Sequence, residues 1–170
     1  MPYEDHQGPA RITDHVVALT GKDSGHEYLK SLGAAEILSR QELVMGTRPL
    51  EKSLWAGALD SVGGKTLGWL TRTMQQNGTI ASFGNAGGIE LNTNVLPFIL
   101  RGVHLIGIDS AATAMPVRSR IWQRLATDLH PGKLSLIAHN VPFAELPQVF
   151  PEMLQGKLRG RSVVEIKAPG

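Results

Sequence analysis

The sequence predicts an α/β fold in which helices flank a parallel β-sheet. Short β-rich runs alternate with helical stretches along most of the chain, at the spacing of βαβ units. The first run, residues 16–20, is continuous and ends at Gly21, as is typical of a buried parallel strand. Right-handed crossovers between such strands would place helices on both faces of the sheet.

The individual elements follow from local patterns. Strands are predicted over residues 16–20, 35–38, 56–60, 79–83 and 103–108. Helices are predicted over residues 26–32, from Gly63 towards Met74, and over 95–100. We expect Gly33 to end the first helix, and Asn77-Gly78 to turn the chain into the fourth strand. Beyond residue 108 the pattern predicts helices over 117–129 and 143–158 and a last strand over 161–167, while 134–139 stays unassigned.

Composition bounds the class of protein. The length of 170 residues suits one domain, and a formal charge of +2 is too small to indicate nucleic-acid binding. The sequence contains no cysteine, which excludes disulfides, thiol catalysis and thiolate-bound metal. No apolar run reaches the roughly 18 residues that span a bilayer, and the N-terminus lacks the apolar core of a signal peptide. These features predict a cytoplasmic protein without a membrane partner.

Two nucleotide-binding motifs are absent and no metal motif is found. The segment Gly63-Gly64-Lys65-Thr66 lacks the earlier glycine of a phosphate-binding P-loop, because that position holds Leu59. The dinucleotide fingerprint G-x-G-x-x-G does not occur before or after the first strand. The histidines show no metal-ligand spacing, so we expect no metal site. The glycines at 84–88 indicate either a tight turn or a backbone that something approaches closely.

The end of the first strand is a candidate cofactor site. Ligands of parallel α/β sheets bind at the carboxyl ends of the strands, and in dinucleotide-binding folds a carboxylate there binds the ribose of NAD. Here Lys22 stands at that end, with Ser24 and Arg40 as further groups that suit a 2′-phosphate. Asp23 could compete for Lys22. An NADP-type site and an ordinary solvated surface therefore both remain open on these residues alone.

Four longer segments carry a family resemblance. They are HEYLKSLGA at 26–34, RPLEKSLWAGALDSVGG at 48–64, LPFILRGVHLIGIDS at 96–110 and GKLRGRSVVEI at 156–166. Through them, residues 16–166 resemble the acrylyl-CoA reductase branch of the zinc-independent quinone oxidoreductases, within the medium-chain dehydrogenase/reductase superfamily.

The resemblance implies a Rossmann-like domain and an NADPH-dependent reduction of an activated carbon–carbon double bond in a small-molecule acceptor, without zinc. It leaves the catalytic residues unknown. The positions that it assigns to the cofactor are Thr20, Gly21 and Lys22 with Arg40 at the adenosine phosphate, Asn85 along the cofactor, and Ile99 and Ser110 near the nicotinamide half. Gly156 stands where the relatives usually carry an asparagine.

The resemblance also predicts how the chain is divided. Residues 1–15 match nothing in the family, 16–130 correspond to a partial NADPH-binding domain, and 131–170 to a C-terminal helix and strand that normally return to the catalytic domain. The expected strand order is 3-2-1-4-5-6, and the match lacks the first strand with its glycine loop. We therefore expect the C-terminal, cofactor-binding part of a reductase, inactive by itself.

One alternative concerns the role of the chain, and one further expectation concerns its assembly. A non-catalytic truncated Rossmann remnant or dimerisation module would carry the same residues and stays open. In the family the last sheet strand, here residues 103–108, pairs across a two-fold axis, which implies a homodimer through this strand and the neighbouring residues 96–100.

Overall fold

The computed structural model describes residues 15–166, which form two compact units, one of residues 44–118 and one of the chain on either side of it. Residues 1–14 of the predicted non-family segment, and Lys167 of the predicted last strand, lie outside the described residues. The predicted three-part division by role remains a prediction. In chain order the elements are β1 (Val17–Thr20), α1 (His26–Leu32), β2 (Glu36–Ser39), β3 (Trp55–Asp60), α2 (Gly64–Thr73), β4 (Met74–Ser82), α3 (Leu96–Arg101), β5 (His104–Gly107), α4 (Met115–Ala126), α5 (Leu134–Ile137), β6 (Ala138–Pro142), α6 (Leu146–Leu154) and β7 (Arg161–Glu165).

All strand pairs in residues 15–166 are parallel, which confirms the predicted fold class. The sheets are β1–β2, β3–β4–β5 and β6–β7. In the expected Rossmann order 3-2-1-4-5-6, the β1–β2 sheet corresponds to family strands 2 and 3, and the β3–β4–β5 sheet corresponds to family strands 4, 5 and 6.

The unit of residues 44–118 contains most of the buried side chains. Its core consists of Leu67 from α2, Met74 and Ile80 from β4, and Val103 before β5. Apolar residues of α2 recur at helical spacing, so one face of the helix packs on the sheet. Trp55 and Trp69 add an edge-to-face contact with ring centroids 6.1 Å apart.

β4 begins earlier than the sequence predicts. It extends from Met74, and the predicted turn at Asn77-Gly78 is an irregularity inside the strand, where Asn77 has a φ of 57°. The pairing with β3 shifts register at the same place, between Trp55 and Gly57. Asparagine tolerates this left-handed backbone, so the turn residues bend the strand without ending its pairing.

The other unit begins with β1, α1 and β2. The helix ends at Gly33, as predicted: its φ is 116° and its amide donates to the carbonyl of Lys30 at 2.9 Å. Val17 to Thr20 then pair in register with Glu36 to Ser39. The carboxyl ends of both strands therefore lie side by side.

The C-terminal part of this unit differs from the prediction. The sequence pattern does not predict the strand β6, because its partner β7 lies more than twenty residues further along the chain. The predicted helix over 143–158 is a 3-10 turn at Phe143–Glu145 followed by α6, which contains Pro151 and is succeeded by Gly156 with a φ of 65°. The predicted helix over 117–129 is shifted towards the N-terminus, as α4.

Candidate functional site

An open cleft of about 640 Å³ lies at the carboxyl ends of β4 and β5. Its lining consists of Ser82, Phe83, Gly84, Asn85, Gly107, Ile108 and Asp109. Parallel α/β sheets bind their ligands at this end of the strands. The cleft is therefore the candidate ligand site of the unit 44–118.

One wall of the cleft is the turn at residues 84–88, which is joined to the loop between β3 and α2. The amide of Phe83 donates to the Asp60 carbonyl at 2.9 Å, and that of Gly87 to the Val62 carbonyl at 2.7 Å. Gly63 and Gly88 form a parallel bridge. The two loops consequently act as one backbone layer beneath Asn85.

Glycines permit this close approach. A Cβ atom on Gly84 would lie 2.5 Å from the Ser61 carbonyl oxygen, and one on Gly63 would lie 2.5 Å from that of Gly88. Gly63 also has a φ of 68° and a ψ of −155°, a conformation almost confined to glycine. Both explanations for the glycine cluster hold: the Gly88 amide donates to the Asn85 carbonyl at 3.0 Å in a tight turn, and the segment 60–64 is the backbone that approaches the cluster.

The carboxylate of Asp60 lies within this layer. The side chain is 2% exposed and accepts hydrogen bonds from the amides of Val62 and Gly63 and from the hydroxyl of Ser82. Sequence reasoning noted Asp60 only as the end of a strand. The signal that could have identified it is an aspartate followed three residues later by Gly-Gly at the start of a helix.

Another part of the lining comes from the end of β5 and the turn that follows it. Asp109 accepts hydrogen bonds from the amides of Ala111 at 3.1 Å and Ala112 at 3.0 Å, through one carboxylate oxygen. Arg118 donates to the carbonyl of Ser110 at 2.6 Å. These bonds fix the turn, and Ser110 follows directly on the cleft-lining Asp109.

The other three predicted cofactor residues differ in position. Asn85 lines the cleft, Ser110 adjoins it, and Ile99 lies outside the lining on α3 with 68% of its surface exposed. Their contact with a cofactor stays a prediction.

At the end of β1 the structure brings together the four residues predicted for the adenosine side. The amide of Lys22 donates to the Thr20 hydroxyl at 3.1 Å, and that of Arg40 to the Thr20 carbonyl at 2.8 Å. The Arg40 guanidinium lies over Gly21, where a Cβ atom would be 2.6 Å from its Nη2. Gln41, which the sequence did not single out, donates to the Gly21 carbonyl at 2.7 Å.

The ammonium group of Lys22 contacts carbonyl groups of the C-terminal part of the same unit. It donates to the Gly156 carbonyl and, at 3.3 Å, to that of Leu158. The carboxylate of Asp23, which could have competed for Lys22, lies 3.8 Å from His26 instead. Lys22 and Arg40 are both exposed, so the end of β1 presents two cations to solvent.

Residues 15–166 contain neither a cluster of metal-ligating side chains nor a membrane-spanning helix. In that part of the chain no group of three or more histidine, aspartate or glutamate side chains could hold a metal ion. None of its helices is both long and apolar enough to cross a bilayer.

Known proteins resemble the chain over most of its length. It is 43% identical over 151 residues to the probable acrylyl-CoA reductase AcuI of Escherichia coli, an alignment that covers 89% of this chain and 46% of that protein. The solved structure of E. coli YhdH with bound NADPH matches at 43% identity and a TM-score of 0.82, over 90% of this chain and 47% of the other. The solved structure of Bacillus subtilis YhfP with NAD bound matches at 43% identity and a TM-score of 0.84, over 89% of this chain and 47% of the other.

The chain belongs to the zinc-independent quinone oxidoreductase and acrylyl-CoA reductase family of medium-chain dehydrogenases/reductases. It spans about half the length of the curated relatives that it matches, a share that fits the C-terminal portion of the family. No protein-family model matches the sequence. The family assignment therefore rests on whole-chain similarity.

Proposed function

We propose that this chain forms the cofactor-binding part of an NADPH-dependent oxidoreductase that reduces an activated carbon–carbon double bond in a small molecule. The observation that carries the proposal is the cleft at the ends of β4 and β5, in a chain 43% identical to a protein named as a probable acrylyl-CoA reductase. Acrylyl-CoA and quinone-like compounds are the acceptor classes that the family suggests.

The end of β1 fits the phosphorylated cofactor. Lys22 and Arg40 provide two cations where an NAD-binding site would carry a carboxylate, and charged hydrogen bonds to phosphate are among the stronger polar contacts. Thr20 and Gly21 supply the backbone between them. The choice of NADPH rests on these cations, because the similar structures include one with NADPH and one with NAD.

Asn85 is proposed to lie along the cofactor, and Ile99 and Ser110 are proposed to lie near its nicotinamide half. When bound, NADPH would supply the hydride for the acceptor. The task of this chain is positioning: the turns that carry Asn85 and Ser110 are each fixed by hydrogen bonds to neighbouring loops or side chains. Such preorganisation can contribute roughly 7–11 kcal/mol to lowering a barrier.

Cofactor selectivity is the first test. We expect the chain to bind NADPH about tenfold or more tightly than NADH, measured by calorimetric titration. Lys22→Glu should abolish the preference, because it replaces a cation with the residue type of NAD-specific sites. The matched control is Lys30→Glu, an equal charge change on α1, where the lysine pairs with Glu27 at 3.4 Å. Equal affinities in the unmodified chain, or an unchanged preference in Lys22→Glu, would contradict the NADPH assignment.

Activity is the second test. We propose that these 170 residues do not sustain hydride transfer by themselves, since they span about half the length of the probable acrylyl-CoA reductase that they match. NADPH oxidation is followed with acrylyl-CoA and with a simple quinone, for this chain and for a fusion to the first half of the E. coli relative. Turnover only in the fusion supports the proposal. Turnover by the unfused 170-residue chain contradicts the proposal that it is inactive by itself. Inactivity of both the chain and the fusion contradicts the proposed class of acceptor.

We also propose a homodimer through β5 and the adjacent residues 96–100. β5 is the edge of its three-stranded sheet, and Ile106 and Leu100 are 48% and 57% exposed. The amide of Ile108 points to β4, because it donates to the Ser82 carbonyl. Amides alternate in direction along a strand, so the amide of Gly107 points to the open edge.

The variant Gly107→Pro tests this interface. It removes the Gly107 donor without a steric clash, since a Cβ atom at this position would meet nothing within 4 Å. Sedimentation is expected to give a dimer for the unmodified chain and a monomer for Gly107→Pro; a monomer in both, or a dimer in both, contradicts this interface.

A further inference from the structure

Asp60 is a buried acidic residue without a role in the proposed function. Its side chain is 2% exposed, at the carboxyl end of β3 and beneath the Asn85 wall of the cleft. Burial of a carboxylate is unfavourable unless hydrogen bonds compensate for lost hydration. Its partners therefore indicate what it stabilises.

Two sets of donors surround the carboxylate. On the α2 side, Oδ1 accepts from the amides of Val62 at 3.2 Å and Gly63 at 3.1 Å, and Oδ2 also lies 3.1 Å from the Gly63 nitrogen. On the β4 side, Oδ2 accepts from the Ser82 hydroxyl at 3.0 Å. The negative charge also lies near the N-terminus of the ten-residue helix α2, where the helix dipole favours it.

These contacts are continuous with the backbone beneath Asn85. The segment 61–63, which Asp60 holds, is bonded through the Val62 carbonyl to Gly87 and through the bridge to Gly88. A Cβ atom on Gly63 would lie 3.3 Å from the Cα of Asn85, so the two loops touch at that residue. Ser82, the other partner of Asp60, itself lines the cleft.

We propose that Asp60 is a positioning residue: its carboxylate locks the loop 61–63 and β4 together, and so holds the Asn85 turn in the orientation that receives the nicotinamide half of the cofactor. This inference rests on the proposed function, because it takes Asn85 as a cofactor contact. Asp60 touches no cofactor itself and acts only through the backbone of the turn.

The test is Asp60→Asn, which keeps the size but exchanges one accepting oxygen for an NH2 group that cannot accept from Gly63 or Ser82. Binding of NADPH is compared with binding of 2′,5′-ADP, which contains only the adenosine half. The expected result is at least tenfold weaker NADPH binding with 2′,5′-ADP affinity unchanged within twofold. A general loss of structure would weaken both ligands, so the split between them isolates a positioning role.

Amide hydrogen exchange reports on the same coupling without ligand. In Asp60→Asn we expect exchange of the Gly63 and Gly87 amides to quicken at least tenfold, with Ile80 in the core unchanged. The control is Glu51→Gln, which removes a carboxylate that likewise accepts a backbone amide, from Arg48 at 2.8 Å, outside the cleft lining. It should alter neither ligand affinity nor exchange of the amides of residues 63 and 87.

Ser82→Ala is a milder change that removes the other partner of the carboxylate. It is expected to weaken NADPH binding about threefold, and it replaces Asp60→Asn as the test if that variant does not fold.

The outcomes separate this inference from the proposed function. An unmodified chain that binds 2′,5′-ADP and NADPH, with Asp60→Asn weakened for NADPH alone, supports both. Equal NADPH binding in the unmodified chain, Asp60→Asn and Ser82→Ala overturns the inference and leaves the proposed function standing. Equal weakening of both ligands, or exchange that quickens throughout the core, also overturns it. No NADPH binding by the unmodified chain overturns the proposed function, and the inference with it.

Discussion

The two units of this chain hold their predicted site residues by different means. In residues 44–118 the turn that carries Asn85 is fixed by backbone hydrogen bonds, glycine contacts and the buried Asp60. In the other unit, Lys22 and Arg40 are exposed long side chains: Lys22 donates to backbone carbonyls, and the Arg40 guanidinium lies over Gly21. Among the described residues, the buried hydrophobic positions are in 44–118 except for Val141. The two units thus show two ways of holding a predicted site residue: a packed and hydrogen-bonded turn in residues 44–118, and exposed charged side chains in the other unit.

The largest expected difference between the units comes from the same change, isoleucine to alanine, made once in each unit. Ile80→Ala in β4 removes a fully buried side chain from the core cluster and should lower the free energy of unfolding by about 4 kcal/mol. Ile37→Ala in β2 truncates a half-buried side chain and should cost only about 1–2 kcal/mol. Urea denaturation followed by circular dichroism measures both. Equal losses would show that the packing contrast between the units does not extend to stability.

A second pair of substitutions probes the backbone in each unit. Gly63→Ala places a Cβ atom 2.5 Å from the Gly88 carbonyl oxygen at a positive φ, and should cost about 3 kcal/mol. Gly156→Ala has a similar φ of 65°, but its nearest neighbour is the Lys22 Nζ at 3.9 Å, so only the conformational penalty of about 1 kcal/mol applies. Thermal unfolding of the two variants gives the comparison. A Gly63→Ala variant no less stable than Gly156→Ala would contradict the close contact between the loops.

The smallest expected effect concerns pH. The backbone amide of Arg48, and then its guanidinium, lower the pKa of Glu51 below its ordinary value of 4.5. A lowered folded-state pKa means that the ionised form stabilises the fold above pH 4.5, and that this contribution disappears as the pH falls through the folded-state pKa. Glu51→Gln should therefore be less stable than the unmodified chain at neutral pH, and the two should converge in acid. Denaturation at pH 3 to 7 measures this; a constant difference across the range would contradict it.

Asp128 supplies the counterpart of Glu51 in the other unit. Its pKa is also lowered, from 3.8, chiefly by a side-chain hydrogen bond from Arg124 one helical turn away. The pair is exposed, so salt should raise the pKa of Asp128 towards its ordinary value more than that of Glu51. Carboxyl carbon chemical shifts, titrated at low and at high salt, read out both groups.

The sequence was sufficient for what depends on local pattern. The run at 16–20, the glycine at 33 and the Gly63-Gly64 helix start predicted the βαβ units, since each signal lies within a few residues of its effect. It was insufficient where partners are distant. β6 is short and contains the polar His139 and Asn140, and only pairing with β7 makes it a strand. The proximity of Lys22 to Gly156 likewise depends on a contact between residues 134 positions apart.

The same limit applies to the candidate site. A strand-end rule placed Thr20, Lys22 and Asn85 correctly at carboxyl ends of strands, because that rule concerns topology alone. It could not distinguish Asn85, which lines the cleft, from Ile99, which does not, because that depends on how α3 turns before β5. Nor could it reveal Asp60, whose importance follows from the loops packed around it.

The contact of Lys22 with the carbonyls of Gly156 and Leu158 has a consequence for biosynthesis. Residues 44–118 are contiguous and contain their own core, so this unit can assemble as soon as it has left the ribosome. The unit that contains β1 draws on both sides of it, and the partners of Lys22 emerge only after more than 130 further residues have been added. At roughly 5–20 residues per second, the β1 end waits about 7–27 seconds for them. In the newly made chain, the cationic end of β1 therefore acquires its final surroundings later than the turn that carries Asn85.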